Sequence, residues 1–220
     1  EKPITVVDFG SGKGYLTFAV HDFLYTVLHN KANVTGVEMR KALVDLCNVT
    51  ALTLKDPGLH FVCGDIRTHA PELCDVMIAL HACDTATDYA IHYGIRAQAS
   101  IIMCSPCCHK QIRPQMRSPT LLKPILQYGV HLGQEADMLT DTLRALLLEA
   151  NGYTTKVFEF VSTEHTDKNK MILAVKRSSP ETNTVARQEA LAQILALKNF
   201  YGINEHCLES LLQENSEQPA

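Results

Sequence analysis

The sequence predicts an α/β fold, and three features carry that prediction. Apolar β-type runs alternate with helical stripes from Ile4 to Lys176. The first run, Ile4-Thr5-Val6-Val7, leads straight into Asp8-Phe9-Gly10-Ser11-Gly12-Lys13-Gly14, a turn with glycine at every second position. Near the other end, two β-type runs are joined by a polar segment of hairpin character. With 220 residues and 46% apolar content, the chain is long enough for one domain with a sizeable core, or for one domain and an appendage. No run approaches the length of a membrane span. The 8 cysteines lack the dense spacing of a secreted scaffold, which points to a reducing, cytoplasmic setting.

The elements follow in order. After the glycine turn, Leu16, Ala19, Val20, Phe23, Leu24 and Val27 recur at helical spacing and predict the apolar face of a first helix. Asn33-Val34-Thr35-Gly36-Val37-Glu38 reads as a second strand ending in a carboxylate, and Leu43, Val44, Cys47 and Ala51 mark a second helix. A third strand is expected over His60–Ile66, with Asp65 at its end, a fourth over Cys74–Leu80 and a fifth over Ser100–Cys104. Leu139, Leu143, Leu146, Leu147 and Ala150 define a long amphipathic helix that stops at Asn151-Gly152, a favourable C-terminal cap. Thr154–Val161 and Met171–Lys176 are the hairpin strands, joined by Glu164–Lys170.

Beyond Lys176 the composition changes. Arg177-Ser178-Ser179-Pro180 reads as a linker, followed by a helix with Leu191, Ile194 and Leu195 and another with Leu208, Leu211 and Leu212. Each has one apolar stripe and needs a partner surface. Packing back on the sheet is expected ahead of a separate protein- or RNA-docking module. The division is therefore a domain over 1–177 and a helical appendage with a disordered tail over 178–220. The chain starts close to its first strand and without an initiating Met, so a further N-terminal region is expected ahead of Glu1.

The glycine turn permits a close approach of ligand to backbone, and its spacing separates three ligand classes. A phosphate-cradling loop needs G-x-x-x-x-G-K-[ST], but here Lys13 sits between Gly12 and Gly14 with no Ser or Thr after it. A dinucleotide fingerprint needs its third glycine at the position of Tyr15, so that spacing misses by one residue. The D-x-G-x-G-x-G pattern resembles motif I of class I S-adenosyl-L-methionine (SAM) methyltransferases. Glu38, at a strand end, suits both hydroxyls of a ribose. Either Glu38 or Asp65 alone could be a helix cap or a solvated loop residue. Three acids in register, each ending a β-type run, are much less expected by chance.

This resemblance implies a Rossmann-like seven-stranded sheet of order 3-2-1-4-5-7-6 with flanking helices. In the family pattern Asp65 accepts from the adenine amino group. The implied cofactor contacts are Asp8, Gly10, Ser11, Gly12, Gly14, Glu38, Met39, Asp65, Ile66, Leu80 and His81.

The acceptor should lie beyond the carboxyl ends of the fourth and fifth strands. Amino-methylating enzymes of this fold often carry [DN]-P-P-[YF] there, and this chain has none. It has Leu80-His81-Ala82-Cys83-Asp84-Thr85-Ala86-Thr87-Asp88, and later Ser105-Pro106-Cys107-Cys108-His109-Lys110. These L-H-A-C and P-C-C-H segments resemble a methyltransferase-like family related to the eukaryotic tRNA 2′-O-ribose methyltransferase, over roughly residues 4 to 176 by order of motifs. The implied catalytic set is His81, Asp84, His109 and Lys110. His81 or His109 is suited to take a hydroxyl proton near neutral pH. Asp84 either orients such a histidine or caps the helix that starts at Thr85.

The cysteines admit two readings. Cys104 and Cys107 form a C-x-x-C which, with Cys83 and His81, could supply four zinc ligands. Small non-ligating cysteines lining the pocket fit better, because Cys104 belongs inside a strand, and no metal is expected. Covalent catalysis through Cys107 or Cys108 lacks its usual partner motifs.

The net charge of -4 argues against bulk attraction to nucleic acid. Locally, His109 to Gln134 contains no acid but holds Lys110, Arg113, Arg117 and Lys123, while His165, Lys168 and Lys170 fall in the hairpin. Such a stripe suits phosphates without reading bases, although a solvated loop has the same composition. Few aromatics are at hand for base stacking; Tyr128 is one. The expectation is a SAM-dependent methyltransferase acting on RNA, ribose oxygen ahead of base nitrogen. The alternatives are a protein or small-molecule methyltransferase and a non-catalytic SAM-binding scaffold.

Overall fold

The computed structural model describes residues 2–54, 57–68, 73–80, 82–160, 169–178 and 180–214. Its centre is a 7-stranded sheet built from β1 (Ile4–Phe9), β2 (Ala32–Glu38), β3 (Leu59–Cys63), β4 (Val76–Ala79), β5 (Ile101–Cys104), β6 (Tyr153–Glu159) and β7 (Lys170–Lys176). The order is β3-β2-β1-β4-β5-β7-β6, as the resemblance implied. The first five strands are parallel, and β7 runs antiparallel between β5 and β6. The helices are α1 (Tyr15–Asp22), α2 (Lys41–Leu54), α3 (Thr85–Arg96), α4 (Lys123–Leu126), α5 (Gly129–Ala150), α6 (Pro180–Tyr201) and α7 (Cys207–Glu214).

A parallel sheet covered on both faces needs apolar side chains on both. In β1, Val6 packs with Val34, Phe61 and Ile78 on one face, while Val7 and Phe9 join Met77, Ile91 and Ile102 on the other. This alternation is the two-residue period of the strand, and it leaves the carboxyl ends of β1, β2 and β4 free to build a site.

Several boundaries differ from the sequence expectation. α1 passes into a π-helical turn over Phe23–Val27, and its buried face lies beside the expected stripe. Thr17, His21 and Leu24 are buried, whereas Ala19, Phe23 and Val27 are exposed. β3 stops at Cys63, so Asp65 lies in the loop that follows. In α6 the inward stripe is Ala190, Ile194, Leu197 and Tyr201, with Leu191 and Leu195 outward. α6 packs along α5 and α7 along α3, and Ile194 and Leu208 enter the same core as the sheet. The hairpin connection 161–168, with His165 and Lys168, and the tail 215–220 lie outside the described residues. Among the described residues no helix is long and apolar enough to cross a membrane.

Candidate active site

The glycine turn joins the ends of two strands. Gly10 and Ser11 donate their N–H groups to the Val37 carbonyl at 2.9 and 3.2 Å, and Gly12 donates to Glu38 Oε2 at 3.0 Å. Gly14 stands at φ 75° ahead of α1, and a Cβ there would meet the Phe61 ring at 2.9 Å. Both the left-handed backbone and the lack of space require glycine.

Glu38 is 7% exposed, and both its oxygens are engaged. Oε1 accepts from Arg40 N–H at 3.0 Å and Arg40 Nε at 2.9 Å, while Oε2 accepts from Arg40 Nη2 at 3.3 Å besides Gly12. The Arg40 guanidinium holds the Glu38 carboxyl below its ordinary value, against the opposing effect of burial. Asp8, also buried, accepts from the Thr17 hydroxyl at 2.6 Å. The Asp65 carboxylate is gripped by Arg67, so the adjacent wall is built by its neighbours Gly64 and Ile66.

Two cavities flank Arg40 and share Gly10. One, of about 350 Å³, runs between Glu38, Met39, Ile66, Ala82 and Cys83. The other, of about 280 Å³, lies over Asp8, Ser11, Gly12, Lys13 and Leu80. Ser11 Oγ is buried with no hydrogen-bond partner among the described residues, so a polar ligand group there satisfies an otherwise unpaired atom. An apolar slot, a buried carboxylate and a glycine-lined polar end match in sequence an adenine, a ribose and an amino acid. The residues present fit SAM.

The loops after β4 and β5 carry the residues expected on the acceptor side. His81 lies outside the described residues. Asp84 precedes α3 at φ 54°, ψ -126°, a backbone that costs a non-glycine residue about 1–3 kcal/mol. Its carboxylate neither caps α3 nor touches His109: Oδ1 accepts from Gln111 N–H at 3.3 Å. Arg144 Nη2 holds its carbonyl at 2.9 Å. His109 pairs through Nδ1 with Asp137 of α5.

Lys110 and Arg113 line a cavity of about 440 Å³ with Cys107, Cys108 and His109. Beyond it, His109, Arg113, Asp137, Glu159 and Lys170 surround a larger one of about 730 Å³. Arg117 is turned away, its stem beneath Gly202, and Lys123 opens α4. Lys110, Arg113 and Lys170 therefore border these cavities, whereas Arg117 does not share that arrangement.

Cys104 is fully buried in β5 and apart from the other thiols, so the C-x-x-C does not act as a unit. Cys83, Cys107 and Cys108 come together instead. Burial, then hydrogen bonding to Cys83 and Cys108, push the Cys107 thiol up to about 12, which leaves it a poor nucleophile at neutral pH.

Asp137 and Arg144 escaped the sequence reading because α5 was read only through its leucines. The signal was there. Asp137, Asp141 and Arg144 recur at spacings of four and three, so they share one face of a mostly buried helix.

Residues 1–115, more than half of the chain, match the family model described as "Methyltransferase domain". The chain belongs to that family. It is a methyltransferase domain, and its cofactor is S-adenosyl-L-methionine. Among curated proteins it is similar to the glutathione S-transferase C-terminal domain-containing protein of Homo sapiens, 25% identical over 199 residues, covering 77% of this chain and 30% of that protein. The Mus musculus counterpart matches with the same identity and coverage. The chain thus spans about 30% of the length of the curated relatives it matches. Among solved structures it is similar to magnesium protoporphyrin IX methyltransferase from Synechocystis with bound SAH, at TM-score 0.49 and 17% identity over 79% of this chain and 74% of that one. It is also similar to ribosomal protein L11 methylase from Lactobacillus delbrueckii subsp. bulgaricus, at TM-score 0.47 and 14% identity over 81% and 72% of the two chains.

Proposed function

We propose that this methyltransferase domain acts on RNA and delivers the methyl group to a ribose 2′-hydroxyl. The observation that carries the reading is the run of adjoining cavities: Cys83 on the cofactor side abuts Cys107, and beyond it the cavity is bordered by Lys110 and Arg113. Two cations beside an open cavity suit the phosphates flanking a nucleoside. The likeness of the L-H-A-C and P-C-C-H segments to the tRNA ribose methyltransferase supports the same acceptor.

Bound SAM supplies an electrophilic methyl group for an in-line displacement, in which positioning provides much of the rate. Glu38 receives the ribose hydroxyls of that cofactor once the exposed Arg40 side chain gives way. Met39 and Ile66 border the adenine, and Ser11 with the Gly10–Gly12 backbone holds the amino-acid end. On the acceptor side His109, oriented by Asp137, accepts the hydroxyl proton, and Lys110 and Arg113 hold the phosphates.

The test is transfer of tritiated methyl groups from SAM into fractionated cell extract. RNase-sensitive label that resists protease is expected, with 2′-O-methyl nucleosides in the digest. Protease-sensitive label assigns the domain to protein substrates instead. Label in neither polymer, or RNA label confined to the bases, also overturns the proposal.

A further inference from the structure

We infer that Cys83, Cys107 and Cys108 form a three-thiolate site for one soft divalent cation of the zinc class. Their sulfurs lie within 4.8 Å of one another. Cys83 Sγ is 3.0 Å from Cys107 Sγ, which is 3.5 Å from Cys108 Sγ. Three sulfurs around a tetrahedral zinc, at about 2.3 Å from the metal, stand about 3.8 Å apart. The two pairs at 3.0 and 3.5 Å need to open by less than about 1 Å, and the Cys83–Cys108 pair, within 4.8 Å, lies no more than about 1 Å beyond that spacing. A disulfide would use two of the three and leave the third pressed against it. One cation uses all three.

The fold brings the ligands from two separate loops. Cys83 follows β4 and Cys107-Cys108 follow β5, and those strands are neighbours in the sheet. Cys83 is exposed and the other two are half-buried, so a cation can reach them from solvent. Lys110 and Arg113 line the cavity that Cys107 and Cys108 share, and their positive charge offsets the net negative charge of a divalent ion on three thiolates. Binding replaces three S–H protons, released to solvent, by three metal–sulfur bonds with no change of oxidation state. Three protein ligands leave the fourth tetrahedral position for water or an incoming heteroatom. The site stands on the thiol geometry alone and does not depend on the proposed RNA acceptor.

The experiment titrates Cd²⁺, and then Zn²⁺ in competition, into the fully reduced chain under anaerobic conditions. Sulfur-to-cadmium charge-transfer absorption reports binding. One Cd²⁺ per chain is expected to saturate the band, and Zn²⁺ to abolish it. Cys83→Ser, Cys107→Ser and Cys108→Ser each remove a direct ligand, so each should weaken binding by more than the about 10–100-fold lost with an outer-shell partner. Cys63→Ser, at an exposed thiol outside the triad, should leave the titration unchanged. Circular dichroism melts establish that each variant is folded, and Cys83, being exposed, is the substitution least able to disturb the core. No saturable band, or a band that persists in Cys83→Ser and Cys107→Ser, overturns the assignment. SAM affinity measured on the same samples keeps this outcome separate from any failure of the cofactor cleft.

Discussion

Arg144 grips Asp88 with two hydrogen bonds, Nε to Oδ1 and Nη2 to Oδ2, each 2.9 Å long, across 56 residues of sequence. Both residues are 1% exposed. The same guanidinium holds the Asp84 carbonyl, and so fixes the strained backbone that follows Cys83. One buried cation thereby ties α5 to the start of α3, next to the loop that carries Cys83. Such a pair is costly to break from one side, because Arg144 then stays buried with only the more distant Asp141, at 3.7 Å, to oppose its charge.

Asp88→Ala should therefore destabilise the protein by about 3–5 kcal/mol, read as a fall in the urea midpoint. A surface change such as Asp45→Ala, at the exposed ion pair with Lys41, should cost no more than about 1 kcal/mol. Similar losses for the two variants would show that the buried pair has no special weight.

Gly14→Ala places a methyl group against the Phe61 ring and forces alanine into a left-handed backbone at φ 75°. The backbone alone costs about 1–2 kcal/mol. Thermal unfolding should show at least that loss. Calorimetric titration with SAM should show weakened binding, because the turn also aims the Gly12 N–H at Glu38.

Glu38→Gln should lower SAM affinity about tenfold to a hundredfold, the worth of one charge-assisted hydrogen bond at about 1.5–3 kcal/mol. The pH dependence follows from the depressed carboxyl. Glu38 stays ionised through neutral and mildly acidic solution, and its contribution is lost only as pH falls through that lowered value. Arg40→Ala removes the main cause of the depression, so the acidic limb of the binding curve should move to higher pH. An unmoved limb would mean that Arg40 does not control this carboxylate.

His109→Ala should reduce kcat about 10²–10⁴-fold while leaving SAM affinity unchanged, because its proposed role is confined to the acceptor proton. Asp137→Asn should fall between that variant and the parent, since it keeps the shape but weakens the pairing that orients His109. Parental turnover in both would remove the proposed base.

His206, immediately before α7, is buried, and burial pushes its imidazole down to about 4 despite nearby Asp88 and Glu209; Arg144 and Lys198 act in the same sense as burial. The unfolded chain binds a proton near the ordinary value of 6.5, while the folded chain does not until about 4. The contribution of His206 to stability should therefore be complete above about pH 6.5 and decline as pH falls toward 4, by about 3 kcal/mol in total. His206→Leu removes this titration, so its urea midpoint should depend less on pH than the parent's across that window.

Much of the scaffold was legible in the residues themselves. Val6 and Val7 face opposite sides of the sheet because a strand repeats every two residues, and Gly12 and Gly14 adopt left-handed backbones because L side chains resist them. These are local constraints, written into short stretches of chain. They were enough for the order of the strands along the chain, for the turn and for placing Asp8 and Glu38 near the ends of adjacent strands. In α1 the buried face runs through Thr17, His21 and Leu24, two of them polar, so the apolar stripe by itself did not mark it.

What the chain alone could not decide was which distant side chains meet. His109 could pair with Asp84 or another acid, and only the docking of α5 against the β5 loop chose Asp137. Cys107 could act with Cys104 in a C-x-x-C, and the pleat of β5 turned Cys104 into the core while the β4 loop brought Cys83 to within 3.0 Å. Periodicity and turn chemistry act over a few residues and can be read from them. Pairing of a base, a buried charge or a thiol depends on how whole helices and strands pack, and that is settled only when the core closes.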